Sequence, residues 1–224
     1  MPLFKIDEKK KPMVTLIAIL AIVVSLISIF ITQCERPPKV NLKPYLAVSE
    51  VLADETAKLL GPEGGPIVVI AFDTKATKMP TIEAQLDAFH AAIKKKGNIT
   101  IAATEAVPMD KLAEMGPEMG LPSEFFHKAL EQHGSAKAIV SFLGAPSLKD
   151  DEIAKLPPNI PKIVVFSSFG MGLKKLFDEQ VIQVAIVPST EPAQPSDTKP
   201  STSREWFDRY YQVVTKENTD KLPH

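Results

Sequence analysis

The 224-residue chain carries 26 Lys and Arg against 27 Asp and Glu, a formal net charge of −1, with 45% hydrophobic and 24% charged residues. These values sit near the averages of globular proteins and exclude the concentrated basic face of a nucleic-acid binder. The single cysteine, Cys34, excludes a disulfide within one chain.

The first feature in chain order is an uncharged run from Pro12 to Cys34. A hydrocarbon core of ~30 Å needs ~20 apolar residues, and Met13 to Thr32 supplies that length, with Thr15, Ser25 and Ser28 bonding back to their own helix. The expected organisation is a cytoplasmic tail over 1–12, a transmembrane helix over 13–32 and a Pro-rich spacer over 33–44 holding Pro37, Pro38 and Pro44. Two other readings stay open. A cleaved secretory signal needs a shorter apolar core and a small-residue cleavage site, whereas this run ends Phe30-Ile31-Thr32-Gln33. Lipidation of Cys34 needs a small residue before it, where Gln33 stands. Lys5, Lys9, Lys10 and Lys11 precede the run, against Arg36, Lys39 and Lys43 after it, so the N-terminus is expected in the cytoplasm and the main domain in a periplasm or outside the cell. The lipid bilayer is thus an expected partner.

From Tyr45 the apolar spacing becomes helical, through Leu46, Val48, Val51, Leu52, Thr56, Leu59 and Leu60, and Gly61-Pro62 stops it. Residues 67–72, IVVIAF, form a short β-branched run bounded by turn residues, a strand buried on both faces. A second helix follows over Pro80 to Lys96, with Ile82, Leu86, Phe89 and Ile93 on one stripe; Lys94-Lys95-Lys96 end it where cations suit the macrodipole. Strand two is expected over 99–103. The Met-, Gly- and Pro-rich connection from Pro108 to Pro122 has room for a short helix around Lys111 to Met115, and Ser123 is an expected N-cap for a helix burying Phe125, Phe126, Ala129 and Leu130. Strands three to five are expected over 138–143, 163–166 and 181–187, with a helix from Gly172 to Glu179 before the last. Five apolar strands alternating with helices predict an α/β domain over 45–188, a doubly wound, mostly parallel five-stranded sheet of order 2-1-3-4-5.

Pro188, Pro192, Pro195 and Pro200 lie among Ser, Thr and Gln, so 189–203 reads as a linker. Residues 204–224 form an aromatic C-terminal helix and tail, in which REWFDRYYQVV collects Trp206, Phe207, Tyr210 and Tyr211. Such a stripe needs a cover. It packs back on its own domain, or it docks a protein partner or second copy, since aromatic anchors dominate interfaces.

The order of elements in PIVVIAFDTKATKMPTIEAQLDAFHAAIKKKGNITIAATEAV, FFHKALEQHGSAKAIVSFLGAP and IPKIVVFSS, over about residues 66 to 188, resembles one lobe of a type I periplasmic solute-binding protein. Family members close two such lobes on a solute. The resemblance therefore implies half a cleft, a small-molecule ligand and the need for a second wall.

In open α/β sheets ligands sit beyond the carboxyl ends of the strands, which selects Asp73, Thr74, Glu105, Gly144, Ala145, Ser167, Ser168 and Gly170. Asp73 either contacts a ligand hydroxyl or a cation, or caps the following turn. Gly170-Met171-Gly172 lacks the dinucleotide and P-loop patterns. No enzyme signature emerges: His90, His127, His133 and His224 lack metal-ligand spacing, no G-x-S-x-G turn presents a serine, and no cofactor is implied. Asn98-Ile99-Thr100 fits a glycosylation sequon at a strand start, where chance explains it. Two functions follow: an extracytoplasmic accessory or assembly subunit acting by protein contacts, or a small-ligand sensor or solute-binding component of a transporter.

Overall fold

A computed structural model describes residues 11–33, 40–75, 78–113, 120–170, 172–190 and 200–222. Outside them lie the tail before Lys11, Cys34, Pro37-Pro38, Met115, Met171, His224 and the linker residues 191–199. The chain divides into two compact units, Met1–Val40 and Asn41–His224.

In the first unit, helix α1 covers Lys11–Gln33. Its described side chains, Thr15 to Leu26 and Ser28, are all exposed. Among the described residues no helix is long and apolar enough to cross a membrane.

The second unit opens with α2, Lys43–Leu60, where Ala47, Val48, Val51, Leu52 and Thr56 form the buried stripe that the spacing predicted. Gly61 closes it at φ 67°, a left-handed backbone that suits glycine. The tight passage into β1, Gly65–Phe72, depends on Gly64: at φ +60° a Cβ there would lie 2.1 Å from the carbonyl oxygen of Asn98. Asn98 holds the same corner, its Nδ2 donating to the carbonyls of Gly61 and Pro62. The sequon asparagine is thus committed to a turn.

After β1 come α3 (Pro80–Lys96), β2 (Ile99–Val107), α4 (Met109–Ala113), β3 (Leu121–Pro122), α5 (Ser123–His133), β4 (Ala138–Ser141) and β5 (Pro146–Ser147). The order continues with α6 (Asp150–Ile153), β6 (Lys162–Phe166), α7 (Leu173–Asp178), β7 (Val184–Pro188), α8 (Ser203–Tyr210), β8 (Tyr211–Val214) and a 3-10 helix, Lys216–Lys221. The main sheet runs β2-β1-β4-β6-β7-β8, and β3 pairs with β5 in a two-stranded sheet. Its first five strands are mutually parallel. Numbered among themselves, they have the expected order 2-1-3-4-5.

Alternation along each strand divides the core. One face sends Ile67, Val69, Val140, Val164 and Ile186 against α2, α3 and α8; the other sends Val68, Ile70, Ile139, Val165 and Ala185 against α5 and α7. Helices on both faces explain why the strands read as continuous apolar runs rather than alternating ones.

Several expectations are corrected. The sheet has six strands rather than five, because the C-terminal helix stops at Tyr210 and Tyr211–Val214 pairs antiparallel with β7. The segment after the linker is thus part of the α/β unit rather than a tail beyond it. The β-branched and aromatic content of Tyr-Gln-Val-Val suits a strand once an edge is available. β2 runs four residues further than 103, with a bulge that leaves Ala102 unpaired between Ile101 and Ala103. Ser123 is the first helical residue of α5, not its cap; its hydroxyl instead helps hold the Glu152 carboxyl below the usual range, after the larger contribution of the Lys149 backbone N–H.

Candidate functional site

The parallel strands all end on one side of the sheet, and their ends make a rim. Backbone bonds level it: the Asp73 N–H donates to Val107 O, Phe142 N–H to Ile70 O and Ser167 N–H to Ile186 O, at 2.8–2.9 Å. Because β1, β4 and β6 are neighbours, Asp73 and Thr74, Gly144 and Ala145, and Ser167, Ser168 and Gly170 come together along it. Seven of the eight strand-end residues named from the sequence therefore share one edge.

Their chemistry differs. Asp73 Oδ1 accepts from the Lys75 N–H at 2.9 Å, the turn-capping role that an acid takes at a strand end. The Ser167 hydroxyl is buried and donates to Phe169 O at 2.7 Å. Gly144 turns at φ 90°, a conformation open to glycine, and the Ala145 carbonyl accepts from the Leu121 N–H beside the small sheet. Those groups build the rim. Ser168 is exposed and Thr74 half-buried, placing their hydroxyls where a ligand can reach.

Glu105 is not brought to the rim. Because β2 continues to Val107, it lies within the strand, and Oε1 meets His133 Nε2 at 2.8 Å at the C-terminal end of α5. This half-buried pair ties an edge strand to its covering helix.

The aromatic residues divide in the same way. Trp206 and Phe207 are 5% and 1% exposed and pack in the core beside α2, so the domain itself supplies their cover. Tyr211 is half-buried, its ring centroid 5.8 Å from Phe166 and 6.1 Å from Phe207. Burial pushes its phenol above the ordinary value, and Tyr45 adds to the rise. It serves as a neutral packing group. Helix α8 reaches this position through its first turn, where the Thr202 hydroxyl accepts from the Glu205 N–H and the Ser201 N–H donates to the Glu205 carboxylate. Tyr210 stacks on Trp206 with centroids 6.2 Å apart and stays 43% exposed.

Two further rim residues carry no signal in motif or spacing. Phe169, between Ser168 and Gly170, is 44% exposed, and Met109, two residues past the end of β2, is 40% exposed. Among the described residues of the α/β unit, Met109, Phe169 and Tyr210 are the exposed large apolar side chains. Met109 and Phe169 follow the ends of β2 and β6, whereas Tyr210 ends α8 at the start of β8, its carbonyl beside the end of β7 where it accepts from the Ser189 N–H.

A groove of about 740 Å³ lies at the opposite end of the sheet, where Leu59, Ile153, Leu156, Pro158, Phe177 and Val184 are among its lining residues. It borders the amino ends of β6 and β7, away from the strand ends where open α/β sheets take ligands. Glu55, Lys58, Lys162 and Glu179 give it mixed charge without a focus. The rim is the better candidate. Among the described residues no cluster of His, Cys, Asp or Glu could hold a metal ion.

No protein-family model matches the sequence, and no curated protein matches it. Solved structures do. An arabinose-binding protein from Geobacillus stearothermophilus superposes with a TM-score of 0.53 at 18% identity over 81% of this chain and 63% of its own. A sugar-binding protein of a sugar ABC transporter from Bacillus halodurans gives 0.52 at 17% identity over 80% and 64%. A solute-binding protein from Burkholderia graminis C4D1M, solved with D-arabinose, gives 0.53 at 15% identity over 80% and 62%. The chain thus spans less than two thirds of the length of each of these relatives in fold. What they share with it at such identities is architecture, and the chain has the α/β fold of the solute-binding proteins of ABC transporters.

Proposed function

We propose that this chain is a membrane-anchored extracytoplasmic solute-binding domain that takes a small polyhydroxylated ligand at the carboxyl rim of β1, β4 and β6. One observation carries the reading: Phe169, an exposed aromatic ring, stands beside Ser168 at the strand ends of a fold whose structural neighbours include an arabinose-binding protein. Phe169 offers a face for stacking. The hydroxyls of Thr74 and Ser168 and the carboxylate of Asp73 offer polar partners, the combination of apolar wall and few placed polar groups that small-molecule sites use.

The anchor belongs to the same proposal. α1 has 23 residues, about 34 Å at 1.5 Å rise, and the sequence holds no charge between Pro12 and Gln33. In sequence, the uncharged run from Met13 to Thr32 supports a span by its length. The lysine bias supports a tail in the cytoplasm and a domain outside. Alkaline carbonate washing of membranes is expected to leave the full chain in the pellet, and its release into the wash would remove the anchor from the account.

Titrating the full chain in detergent with D-arabinose and related pentoses by calorimetry tests the site. Saturable binding is expected, weakened about tenfold by Phe169→Ala, which corresponds to ~1.4 kcal/mol. Binding that ignores the substitution moves the site off the rim, and the absence of binding to any pentose or hexose defeats the solute reading.

A second reading, an accessory or assembly subunit acting by protein contacts, is favoured by the breadth of the apolar decoration. Met109 and Tyr210 stand at opposite edges of a six-stranded sheet, about 24 Å apart at ~4.8 Å per strand. One monosaccharide covers only a fraction of that distance.

A further inference from the structure

Beyond Phe166 the chain leaves the sheet, and one hydroxyl governs its course. Ser167 is still tied to the sheet, its N–H donating to Ile186 O of β7 at 2.9 Å. Its side chain is buried, and Oγ meets the backbone of Phe169 twice: it donates to the Phe169 carbonyl at 2.7 Å and accepts from the Phe169 N–H at 3.4 Å. This is the turn that a serine closes over the two residues after it. Past it the hold is weaker, the Leu173 N–H reaching the Gly170 carbonyl at 3.4 Å.

The Phe169 ring has no comparable support of its own. It is exposed and lies outside both core clusters, and among the described residues no ring–ring contact includes it. Such a ring is aimed by its backbone. Fixing a backbone costs conformational entropy, and a ligand that must order the ring as it binds loses that much affinity, whereas one that meets a ring already in place does not. The Ser167 bonds complete that ordering during folding.

The same bonds separate two serines that strand-end position alone marks equally as ligand contacts. A hydroxyl has one proton to donate, and that of Ser167 goes to the Phe169 carbonyl from a buried side chain. Ser168 is exposed. We propose that Ser167 is a positioning residue of the rim: it raises affinity for the polyhydroxylated ligand without touching it, by holding the Phe169 backbone so that the ring stands in its stacking position before the ligand arrives. The inference rests on the solute reading for its ligand and adds a residue to that site. Loss of the hydroxyl leaves the fold intact, because Ser168 and Phe169 are exposed and water replaces the lost partner at the Phe169 backbone. What loosens is the ring.

The test is a double-mutant cycle on the full chain in detergent, with D-arabinose titrated by calorimetry into wild type, Ser167→Ala, Phe169→Ala and the double variant. Ser167→Ala is expected to weaken binding about fivefold, the loss of one net hydrogen bond. In the Phe169→Ala background, where there is no ring to hold, its effect is expected to fall below about twofold. Ser168→Ala, at a side chain placed to touch the ligand, is expected to weaken binding by the same factor in both backgrounds. A Ser167→Ala loss that persists undiminished without Phe169 overturns the proposal, since it makes Ser167 a ligand contact or a general support of the fold. So does a Ser167→Ala chain that binds as tightly as wild type. Hydrogen–deuterium exchange without sugar gives a second readout: Ser167→Ala is expected to speed exchange over residues 168–170 several-fold and to leave 163–166 unchanged. Unaltered exchange at 168–170 overturns the hold on Phe169. A wild-type chain that binds no pentose defeats the solute reading and with it the effect on affinity, while the exchange result still decides whether Ser167 holds Phe169.

Discussion

Replacing Phe207 by alanine is expected to destabilise the α/β unit by about 3–5 kcal/mol, the range for emptying a buried aromatic site. Phe207 is 1% exposed, lies in the core shared with α2, and contacts the Tyr211 ring. The Arg204 guanidinium lies 5.3 Å from its ring centroid on the outer side. Its removal leaves a cavity between a helix and the β7–β8 end of the sheet, and β8 has one neighbouring strand to hold it. Urea denaturation of the full chain in detergent, followed by the fluorescence of the single tryptophan, Trp206, is the measurement. The midpoint should fall with little change in slope. Tyr210→Ala, at an exposed ring, should move it by no more than ~0.5 kcal/mol. Equal and small effects at both positions would mean that the segment after the linker docks loosely, returning Trp206 and Phe207 to the set of partner-binding residues.

The second large effect is expected at Gly64. Gly64→Ala forces a side chain into a left-handed backbone at φ +60° and places its Cβ 2.1 Å from Asn98 O, a backbone atom that cannot swing aside. Left-handed strain costs ~1–2 kcal/mol and overpacking ~1–3 kcal/mol, so a loss of at least about 2 kcal/mol follows. The corner cannot relax without parting α2 from the start of β1, since the Gly65 N–H also donates to Asn98 O at 2.8 Å. Gly97→Ala is the matched control. It shares a positive φ of 74° but meets nothing within 4 Å, so it reports the backbone strain without the collision. A Gly64→Ala protein no less stable than Gly97→Ala would show that the α2–β1 corner is looser than its geometry requires.

Most of the sheet was legible because its central strands are buried on both faces. IVVI in β1, AIV in β4 and IVV in β6 are short β-branched runs closed by turn residues, and each tolerates no polar interruption. Edge strands obey weaker rules. β2 has one neighbour, so Thr104, Glu105 and Ala106 satisfy it without an apolar run, and a strand ended by sequence at Ala103 makes Glu105 look like a loop acid. β8 failed for a different reason. Trp206, Tyr210 and Val213 continue one helical stripe with no Gly or Pro between them, and only the open edge of β7 converts the last four residues to a strand. The same sequence that suits a helix in isolation suits a strand in place.

The rim was legible wherever the strand ends were. Asp73, Thr74, Gly144, Ala145, Ser167, Ser168 and Gly170 follow three adjacent strands, and the order of those strands was read correctly. Phe169 and Met109 were not singled out, because an apolar residue in a connection gives no period to read. Their meaning lies in exposure, which depends on the whole fold. The buried Ser167 hydroxyl, donating to the Phe169 carbonyl, fixes the turn that leaves the ring at the surface.

On the proposed function the carboxyl rim, and not the groove at the amino ends of β6 and β7, is the face on which this domain acts. Hydrogen–deuterium exchange of the full chain in detergent, with and without saturating D-arabinose, compares the two faces in one experiment. Slowed exchange at residues 73–75, 142–145 and 167–170 is the predicted result, with residues 153–162 unchanged. Protection confined to 153–162 and 179–184, the loops around the opposite groove, would contradict it.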